Sequence, residues 1–180
     1  MRSSTRIKES TEMDIGYHFE RDVNRYLTFF LTPRVFAINL MAVKEIIEYS
    51  EITSIPKLPA FIRGAINLRG KVIPVVDLSV RLDYEETVIT KRSCIIVVEL
   101  VVNDEPLNVG ILVDLVNQVT DLTFEQLEDA PSFGGNIKTE YIEAMAKIDN
   151  KFVVVLNIQS LLSMDDIASL EDVSLREEII

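Results

Sequence analysis

The segment LPAFIRGAINLRGKVIPVVDL, residues 58–78, decides the fold, because it combines the alternation of a β-hairpin with two prolines and two glycines. Its parts GAINLRG and KVIPVVDL read as strands joined around Gly70, since glycine takes the positive φ that a tight hairpin turn requires. Pro74 cannot donate a hydrogen bond to a neighbouring strand, so we expect its strand at a sheet edge or at a bulge. Asp77 stands where a helix cap belongs, which predicts a short helix over LSVRL.

This segment contains three cationic residues, Arg63, Arg69 and Lys71, although its apolar pattern otherwise suits a buried sheet. Alternation with a period of two places Asn67 and Arg69 on the face opposite Ile66 and Leu68. Arg69 is then either an ordinary solvent-facing arginine beside a turn or an anchor for a protein partner. The second reading rests on the planar donor fork and apolar stem of arginine, which is enriched in interface hot spots. The spacing alone leaves both readings open.

The rest of the chain continues the pattern of short strands. Two strands joined at Pro33 are predicted over YLTFFLT (26–32) and RVFAINL (34–40). A short amphipathic turn is predicted to follow over MAVKEII (41–47). A second hairpin is predicted from SCIIVVELVV (93–102) and LNVGILVDLVNQV (107–119), which NDEP connects. Thr123 and Gln126 have the spacing of a capping box, which predicts that a helical turn begins at TFEQLE (123–128). YIEAMAKID and KFVVVLNI form a hairpin across Asp149 and Asn150, and one long helix covers QSLLSMDDIASLEDVSLREE.

An internal repeat is visible between the two halves of the chain. VFAINLMAVKEI aligns without gaps with NVGILVDLVNQV, and VIPVVDLSVRL aligns with FVVVLNIQSLL, which places Asp77 opposite Asn157. The first alignment pairs Ala37 with Gly110, Ile38 with Ile111, Val43 with Val116, and Glu45 with Gln118. Two similar small β-barrels of about five short strands explain this order better than one large sheet, and chance similarity between apolar strands is the alternative.

Composition excludes several classes of function. The net charge of −11 repels polyphosphate and anionic lipid surfaces, so we expect no nucleic acid partner. No apolar run reaches the roughly 18 residues of a membrane-spanning helix, and we expect no direct membrane insertion. Cys94 is the single cysteine, which excludes an intramolecular disulfide and agrees with a reducing cytoplasm. It reads as a small buried hydrophobe.

Residues for catalysis are scarce. His18 is the only histidine, so the sequence holds no Ser-His-Asp triad and no two-histidine metal site. The glycines at 64 and 70 lack the following Lys-Ser or Lys-Thr of a phosphate-binding loop. Asp114, within ILVDLV, fits a strand position that faces solvent. We therefore expect no metal, no cofactor and no enzyme activity.

The stretch FIRGAINLRGKVIPVVDL, residues 61–78, closely resembles the signature of the CheW family of bacterial chemotaxis adaptors. The resemblance extends from about Tyr26 to Leu162, and VKEII, VGILVD and TEYIEAMA support it more weakly. It implies a mainly β fold of two interlocked five-stranded SH3-like β-barrels with short helices and a C-terminal helix. It also implies a non-catalytic adaptor that couples the cytoplasmic tips of chemoreceptors to the regulatory domain of the histidine kinase CheA. Such a protein is cytoplasmic and is recruited to membrane-associated receptor arrays.

The resemblance also implies a receptor-binding groove. The family's receptor-contact and signalling residues fall on Val43, Glu45, Gly64, Asn67, Arg69, Gly70 and Gly110. An arginine and a glutamate flanking one groove can bond to each other or to a receptor helix. Arg63 and Lys71 are expected to be solubilising edge charges. The chain departs from the family around YIEAMA, where glycines are usual and residues 143–146 are Glu, Ala, Met and Ala.

The expected domain organisation has three parts: a mobile leader over residues 1–22, a CheW-like domain over 23–164 with an exchange between its subdomains near 83–92, and an acidic C-terminal helix or tail over 165–180. Two alternatives to the adaptor stay open at this point. One is a β-barrel interaction module for another histidine kinase or scaffold, and the other is a small enzyme that uses dispersed carboxylates.

Overall fold

The computed structural model describes residues 23–129 and 137–175. The predicted leader over 1–22, the loop residues 130–136 and residues 176–180 lie outside the described residues. The strands are β1 (Val23–Leu31), β2 (Arg34–Asn39), β3 (Val43–Glu48), β4 (Ile62–Leu68), β5 (Lys71–Asp77), β6 (Cys94–Val102), β7 (Glu105–Val113), β8 (Leu115–Thr123), β9 (Leu127–Glu128), β10 (Ile142–Ile148) and β11 (Lys151–Leu156). The helices are α1 (Leu78–Arg81) and α2 (Met164–Leu175), with 3-10 turns at Leu40–Ala42, Phe124–Gln126, Thr139–Tyr141 and Ile158–Leu161.

The strands form two sheets, which confirms the mainly β fold. A six-stranded sheet has the order β8-β1-β2-β11-β10-β9, and a five-stranded sheet has the order β3-β6-β7-β5-β4. We call them barrel A and barrel B. Neighbouring strands are antiparallel except for β2 with β11 and β5 with β7, which are parallel. The parallel pairs join the first half of the chain to the second half in both sheets.

Two strands exchange between the sheets. β3 follows β2 of barrel A but pairs with β6 of barrel B, and β8 follows β7 of barrel B but pairs with β1 of barrel A. The expected exchange near residues 83–92 differs from this arrangement, because the strands before and after that loop both belong to barrel B. The change of sheet follows β2 and β7, where the chain continues from one barrel directly into the other.

The internal repeat is confirmed by the pairing register. Barrel B has the same strand order as β8-β1-β2-β11-β10 of barrel A, and the parallel pairs Ala37–Val155 and Gly110–Val75 occupy aligned positions. The β-bulges repeat as well. The β3–β6 and β8–β1 ladders skip the aligned residues 44 and 117, and the β4–β5 and β10–β11 ladders skip residues 63 and 143. Shared bulges at aligned positions argue against chance similarity, because each bulge is a specific local feature of a strand pair.

Four apolar clusters lie among the described residues, and three of them fill the barrels and the space between them. The cluster of barrel A includes Tyr26, Leu122 and Val155, and that of barrel B includes Ile73 and Val97. The largest cluster contains residues from both sheets together with Ile167 and Leu170 of α2, and it holds the two barrels together. None of the helices in the described part of the chain is both long and apolar enough to cross a bilayer.

Several local predictions need correction. MAVKEII is a 3-10 turn followed by strand β3, and LNVGILVDLVNQV is interrupted at Asp114 between β7 and β8. The single long helix is a 3-10 turn at Ile158–Leu161 followed by α2. β5 is an inner strand, although it contains Pro74, and the bulge of the β4–β5 ladder lies at residue 63 and not at Pro74. The opposite residue, Ala65, exchanges both of its backbone hydrogen bonds with Thr53 instead of Pro74. The ladder to β4 therefore needs no donor at Pro74.

The predicted cap at Asp77 is confirmed and proves to be part of a larger network. Asp77 is fully buried, and its carboxylate accepts hydrogen bonds from the Ser79 amide (3.2 Å), the Thr87 amide (3.0 Å) and the Thr87 hydroxyl (2.8 Å). The guanidinium of Arg63 lies 3.8 Å away and also contacts Glu86. The carboxylate therefore fixes the loop after α1 to the core as well as capping the helix. At the aligned position, Asn157 accepts from the Ser160 amide at 3.3 Å.

Candidate functional site: the mouth of barrel B

The tip of the β4–β5 hairpin presents Arg69 in an unusual backbone conformation. Arg69 has φ +53° and Gly70 has φ +81°, so both central residues of the turn are left-handed. The Asn67 side chain accepts a hydrogen bond from the Gly70 amide at 2.9 Å and fixes the turn. Hairpin turns of this type favour Asn or Asp at the first position, and a left-handed conformation costs most other residues about 1–2 kcal/mol. The turn thus holds an arginine where the backbone favours a smaller polar residue.

The Arg69 guanidinium forms a two-pronged ion pair with Glu45 on β3. Nη1 lies 3.2 Å from Oε1, and Nη2 lies 2.8 Å from Oε2. β3 and β4 are the two edge strands of barrel B, so the pair crosses the open side of the sheet at one end. The Arg69 side chain is 76% exposed and that of Glu45 is 26% exposed. Exposed ion pairs contribute no more than about 1 kcal/mol, so this pair can exchange partners at small cost to the fold.

An open groove of about 590 Å³ lies beside this pair, and we call it the mouth groove. Its apolar lining consists of Leu68, Ile73, Val97 and Pro106, and its polar lining consists of Lys44, Glu45, Arg69, Lys71, Glu99 and Asn108. Lys44 and Glu99 form a second ion pair at 2.7 Å. An apolar floor with charged groups at its rim suits a partner that presents both apolar and charged side chains.

Two groups in the mouth groove have unused binding capacity. The Asn108 Oδ1 atom is buried and accepts no hydrogen bond from the described residues. Within the described part of the chain, no carboxylate lies at ion-pair distance from the ammonium group of Lys71. The polar lining holds three cations against two carboxylates, in a protein whose net charge is −11. The groove therefore favours a partner that brings a hydrogen-bond donor and negative charge.

Most of the predicted site residues meet at this end of barrel B. Asn67, Arg69 and Gly70 are exposed at the hairpin tip, and Glu45 faces them from β3. Val43 is half-buried at the start of β3 and packs against the central apolar cluster, two residues before Glu45. The structure brings these five residues to one end of the barrel, as a shared binding surface requires.

Gly64 and Gly110 differ from the other predicted residues because both are buried. Gly64 has φ +142°, and a Cβ atom at this position would collide with the carbonyl oxygen of Thr53. A Cβ atom at Gly110 would lie 2.8 Å from a methyl carbon of Ile95. Close packing accounts for both glycines, and their part in receptor binding stays a prediction.

Four residues that line the groove were not predicted as site residues from the sequence: Lys44, Leu68, Lys71 and Asn108. The alternation of β4 placed Leu68 on the face opposite Arg69 and so gave no signal for it, whereas position within the hairpin gave one for Lys71. No local pattern could place Asn108, because β7 reaches the groove only through sheet pairing. Asp114 lies elsewhere, between β7 and β8, and its carboxylate accepts a hydrogen bond from the Thr32 amide at 2.6 Å.

Barrel A has an equivalent mouth with different chemistry. Its lining includes Gln118, Ile148, Asp149, Lys151 and Phe152. Gln118 and Asp149 align with Glu45 and Arg69. The ion pair at the mouth of barrel B therefore has no counterpart at these positions of barrel A. Burial raises the pKa of Glu143 in the neighbouring strand β10, and burial together with the Glu143 charge raises the pKa of Tyr26. The ion pair thus distinguishes one barrel mouth from the other.

Comparisons with known proteins identify the family of the chain and its fold. The family model described as the CheW-like domain matches residues 25–166. The chemotaxis protein CheW of Klebsiella aerogenes is 32% identical over 149 residues, which cover 83% of this chain and 87% of that protein. The chemotaxis protein CheW of Bacillus subtilis is 29% identical over 141 residues, covering 78% of this chain and 88% of that protein. The crystal structure of the scaffolding protein TtCheW from Thermoanaerobacter tengcongensis superposes with a TM-score of 0.71 at 31% identity, covering 79% of this chain and 90% of that one.

Proposed function

Because the chain belongs to the CheW family, we propose that it is a non-catalytic adaptor that couples chemoreceptors to the histidine kinase CheA. Under this proposal the mouth groove receives the cytoplasmic tip of a receptor, and another surface binds the regulatory domain of the kinase. The adaptor then resides in the cytoplasm at membrane-associated receptor arrays.

The observation that carries the receptor part of the proposal is the Arg69–Glu45 ion pair. Arg69 occupies a strained turn position, crosses the barrel mouth and stays 76% exposed. Backbone strain at an exposed charged residue is typical of binding sites, where a partner makes use of the side chain. An arginine needed only for solubility gains nothing from this turn position.

Receptor binding at this groove has a simple chemical description. An amphipathic receptor helix would place apolar side chains on Leu68 and Val97 at the groove floor. A carboxylate on the same helix would replace Glu45 as the partner of Arg69, or a basic residue would take Glu45 in place of Arg69. Both exchanges preserve the number of charge-assisted hydrogen bonds, so the partner's apolar contacts decide the binding.

Titration of the folded protein against two separate partners tests the proposal. One partner is a soluble receptor-tip fragment, and the other is the isolated CheA regulatory domain. We expect both to bind the wild-type protein, and we expect Arg69→Ala to weaken receptor binding at least about tenfold while kinase binding is kept. Unchanged receptor affinity in Arg69→Ala would remove the mouth groove from the receptor interface. Absence of binding to both partners would overturn the adaptor function.

The second candidate is an interaction module for another histidine kinase or scaffold. The CheW-like fold by itself is compatible with this function, because a fold does not fix the identity of a partner. The kinase arm of the titration separates the two candidates. Binding to the receptor tip without binding to the CheA regulatory domain would favour the module for another kinase.

A further inference from the structure

Lys71 lies inside the mouth groove and not at a sheet edge. It begins β5, directly after the turn that carries Arg69, and it lines the groove together with Ile73 of the same strand. β5 pairs with β4 on one side and with β7 on the other, so it is an inner strand of barrel B. The role of a solubilising edge charge, which the sequence suggested for Lys71, therefore does not fit its position.

Lys151 is the counterpart of Lys71 in barrel A. Lys71 pairs with Leu68 across the β4–β5 turn, and Lys151 pairs with Ile148 across the β10–β11 turn. Both lysines are exposed and line the mouth of their barrel. Asp149 and Lys151 balance each other as the charged lining residues of the mouth of barrel A, whereas the lining of the mouth groove holds three cations against two carboxylates. The same hairpin position thus carries a lysine in a neutral mouth and in one with excess positive charge.

Two of the three cations of the mouth groove are already paired. Lys44 pairs with Glu99 at 2.7 Å, and Arg69 pairs with Glu45 at 2.8 Å. Lys71 has no carboxylate at ion-pair distance in the part of the chain that the structure describes. One carboxylate from a partner would bring the rim to three charges of each sign, whereas a basic group would raise the excess of cations from one to two. The groove therefore favours a partner that brings one carboxylate.

Arg69 can take part in binding this carboxylate while it stays paired with Glu45. A guanidinium has five N–H donors, and the pair with Glu45 uses one on Nη1 and one on Nη2. The remaining donors bond to none of the described residues, and the side chain is 76% exposed. Arg69 and Lys71 are two residues apart, so their Cα atoms lie within about 7.6 Å of each other and both side chains can reach one carboxylate. Glu45 meanwhile holds the plane of the guanidinium, because a two-pronged pair fixes its orientation.

We propose that the mouth groove recognises one carboxylate of the receptor tip, which binds Lys71 and Arg69 together while Glu45 keeps the guanidinium in place. The inference rests on the proposed receptor function, and it adds the sign of the partner's charge and the residue that selects for it. Lys71 is then a specificity-determining residue. A partner with a neutral or basic group at this place leaves the Lys71 ammonium uncompensated beside two further cations, which disfavours that partner.

Titration of the receptor-tip fragment against lysine variants tests the proposal. We expect Lys71→Gln to weaken binding about 3- to 10-fold and Lys71→Arg, which keeps the charge, to bind within about twofold of the wild type. The matched control is Lys151→Gln, which removes the same charge at the same hairpin position of barrel A and should leave the affinity unchanged. High salt should reduce the effect of Lys71→Gln, because it screens an exposed pair.

The outcomes separate this proposal from the receptor function. Wild-type binding together with equal affinities of Lys71→Gln and Lys151→Gln would overturn the carboxylate proposal and keep the receptor function. A Lys71→Arg variant as weak as Lys71→Gln would show that the shape of the lysine and not its charge is recognised, which would also overturn the proposal. Absence of binding by the wild type would overturn the receptor function, and the proposal falls with it.

Carbodiimide cross-linking identifies the partner's carboxylate directly. The reagent joins the ammonium group of a lysine to a carboxylate in contact with it, with loss of water, and it does not couple a guanidinium. We expect mass spectrometry to find Lys71 joined to one acidic residue of the receptor tip. We expect this product to be absent from the Lys71→Arg complex, although its affinity is kept. Cross-links of the tip to Lys44 or Lys151 without one to Lys71 would overturn the proposal.

A double-mutant comparison tests whether Arg69 and Lys71 bind the same carboxylate. We expect the Arg69→Ala, Lys71→Gln variant to lose less affinity than the product of the two single losses, because contacts to one shared group are not independent. We also expect a receptor tip whose cross-linked carboxylate is changed to an amide to bind the wild type and Lys71→Gln equally. Losses that multiply, or a full effect of Lys71→Gln on the amide-carrying tip, would overturn the shared site.

Discussion

Arg69 occupies in the β4–β5 turn the position that Asp149 occupies in the β10–β11 turn. Both residues are left-handed, with φ +53° and +49°, and each opens a two-residue connection between paired strands. Asp tolerates this conformation well and arginine does not, so the two barrels differ at a position where the backbone is the same. The difference separates the contribution of residue 69 to stability from its contribution to binding.

The variant Arg69→Asn should melt at a higher temperature than Arg69→Ala and bind the receptor tip just as weakly. Asn relieves the strain of the turn by up to about 1 kcal/mol, whereas Ala at the same φ keeps it. Both variants lose the guanidinium and should lose about tenfold or more in receptor affinity. Thermal unfolding and titration of the same samples check both parts. Receptor binding by Arg69→Asn at wild-type strength would contradict the role of the guanidinium.

Exchange of the two charges tests whether the ion pair itself or each side chain binds the receptor. The single variant Arg69→Glu should bind the receptor tip more weakly than Arg69→Ala, because it places a second carboxylate beside Glu45. The double variant Arg69→Glu, Glu45→Arg restores the pair across the barrel mouth with reversed polarity. We expect it to regain thermal stability but not receptor affinity. Recovery of both would show that the pair acts only by closing the mouth.

The variant Asp77→Ala should destabilise the protein by about 3–5 kcal/mol, more than the roughly 0.5–2 kcal/mol of a lost helix cap. It leaves the amides of Ser79 and Thr87 without an acceptor and leaves Arg63 without its buried partner. The matched control is Asn157→Ala, which removes the aligned cap and should cost only about 0.5–2 kcal/mol. Denaturant unfolding of both variants measures the difference, and equal losses would contradict the network.

The variant Gly64→Ala should lose about 3 kcal/mol or more, because its methyl group would collide with the Thr53 carbonyl at a φ that suits only glycine. Gly70→Ala is the control. Its φ is also positive, but a Cβ atom there meets no other atom within 4 Å, so we expect a loss of about 1 kcal/mol. Binding per folded molecule should stay unchanged in Gly64→Ala. A folded Gly64→Ala protein that loses receptor affinity would instead give Gly64 a direct role at the groove.

Local sequence patterns predicted the strands and turns better than they predicted which strands pair with each other. Alternation and turn residues predicted the hairpins around Gly70 and around Asp149, because adjacent strands pair through local contacts. The same patterns could not predict that β3 and β8 exchange sheets, since strands with similar apolar faces can pair with several neighbours. Pro74 shows the limit most clearly. Its missing donor indicated an edge strand or a bulge, whereas the bonds of Ala65 to Thr53 allow it in an inner strand.

The candidate site was predicted in part for the same reason. Exposure of Asn67 and Arg69 follows from alternation. The contact of Arg69 with Glu45, which lies 24 residues earlier in the chain, depends on closure of the sheet. The burial of Gly64 depends on the close approach of the Thr53 backbone, which the residues near Gly64 in the sequence do not predict. Only the closed barrel separates the glycines that shape the interior from the residues that line the groove.

The exchange of β3 and β8 determines the order in which the protein can fold as it leaves the ribosome. Barrel B has its full set of strands once residue 113 has emerged, because its last strand is β7. β1 and β2 are synthesised first but gain their outer neighbours only with β8 and β11, about 80 to 120 residues later. The hairpin that is made first therefore remains longest without its sheet neighbours, and the side chains of Phe29 and Phe36 gain their full burial only after those neighbours are made.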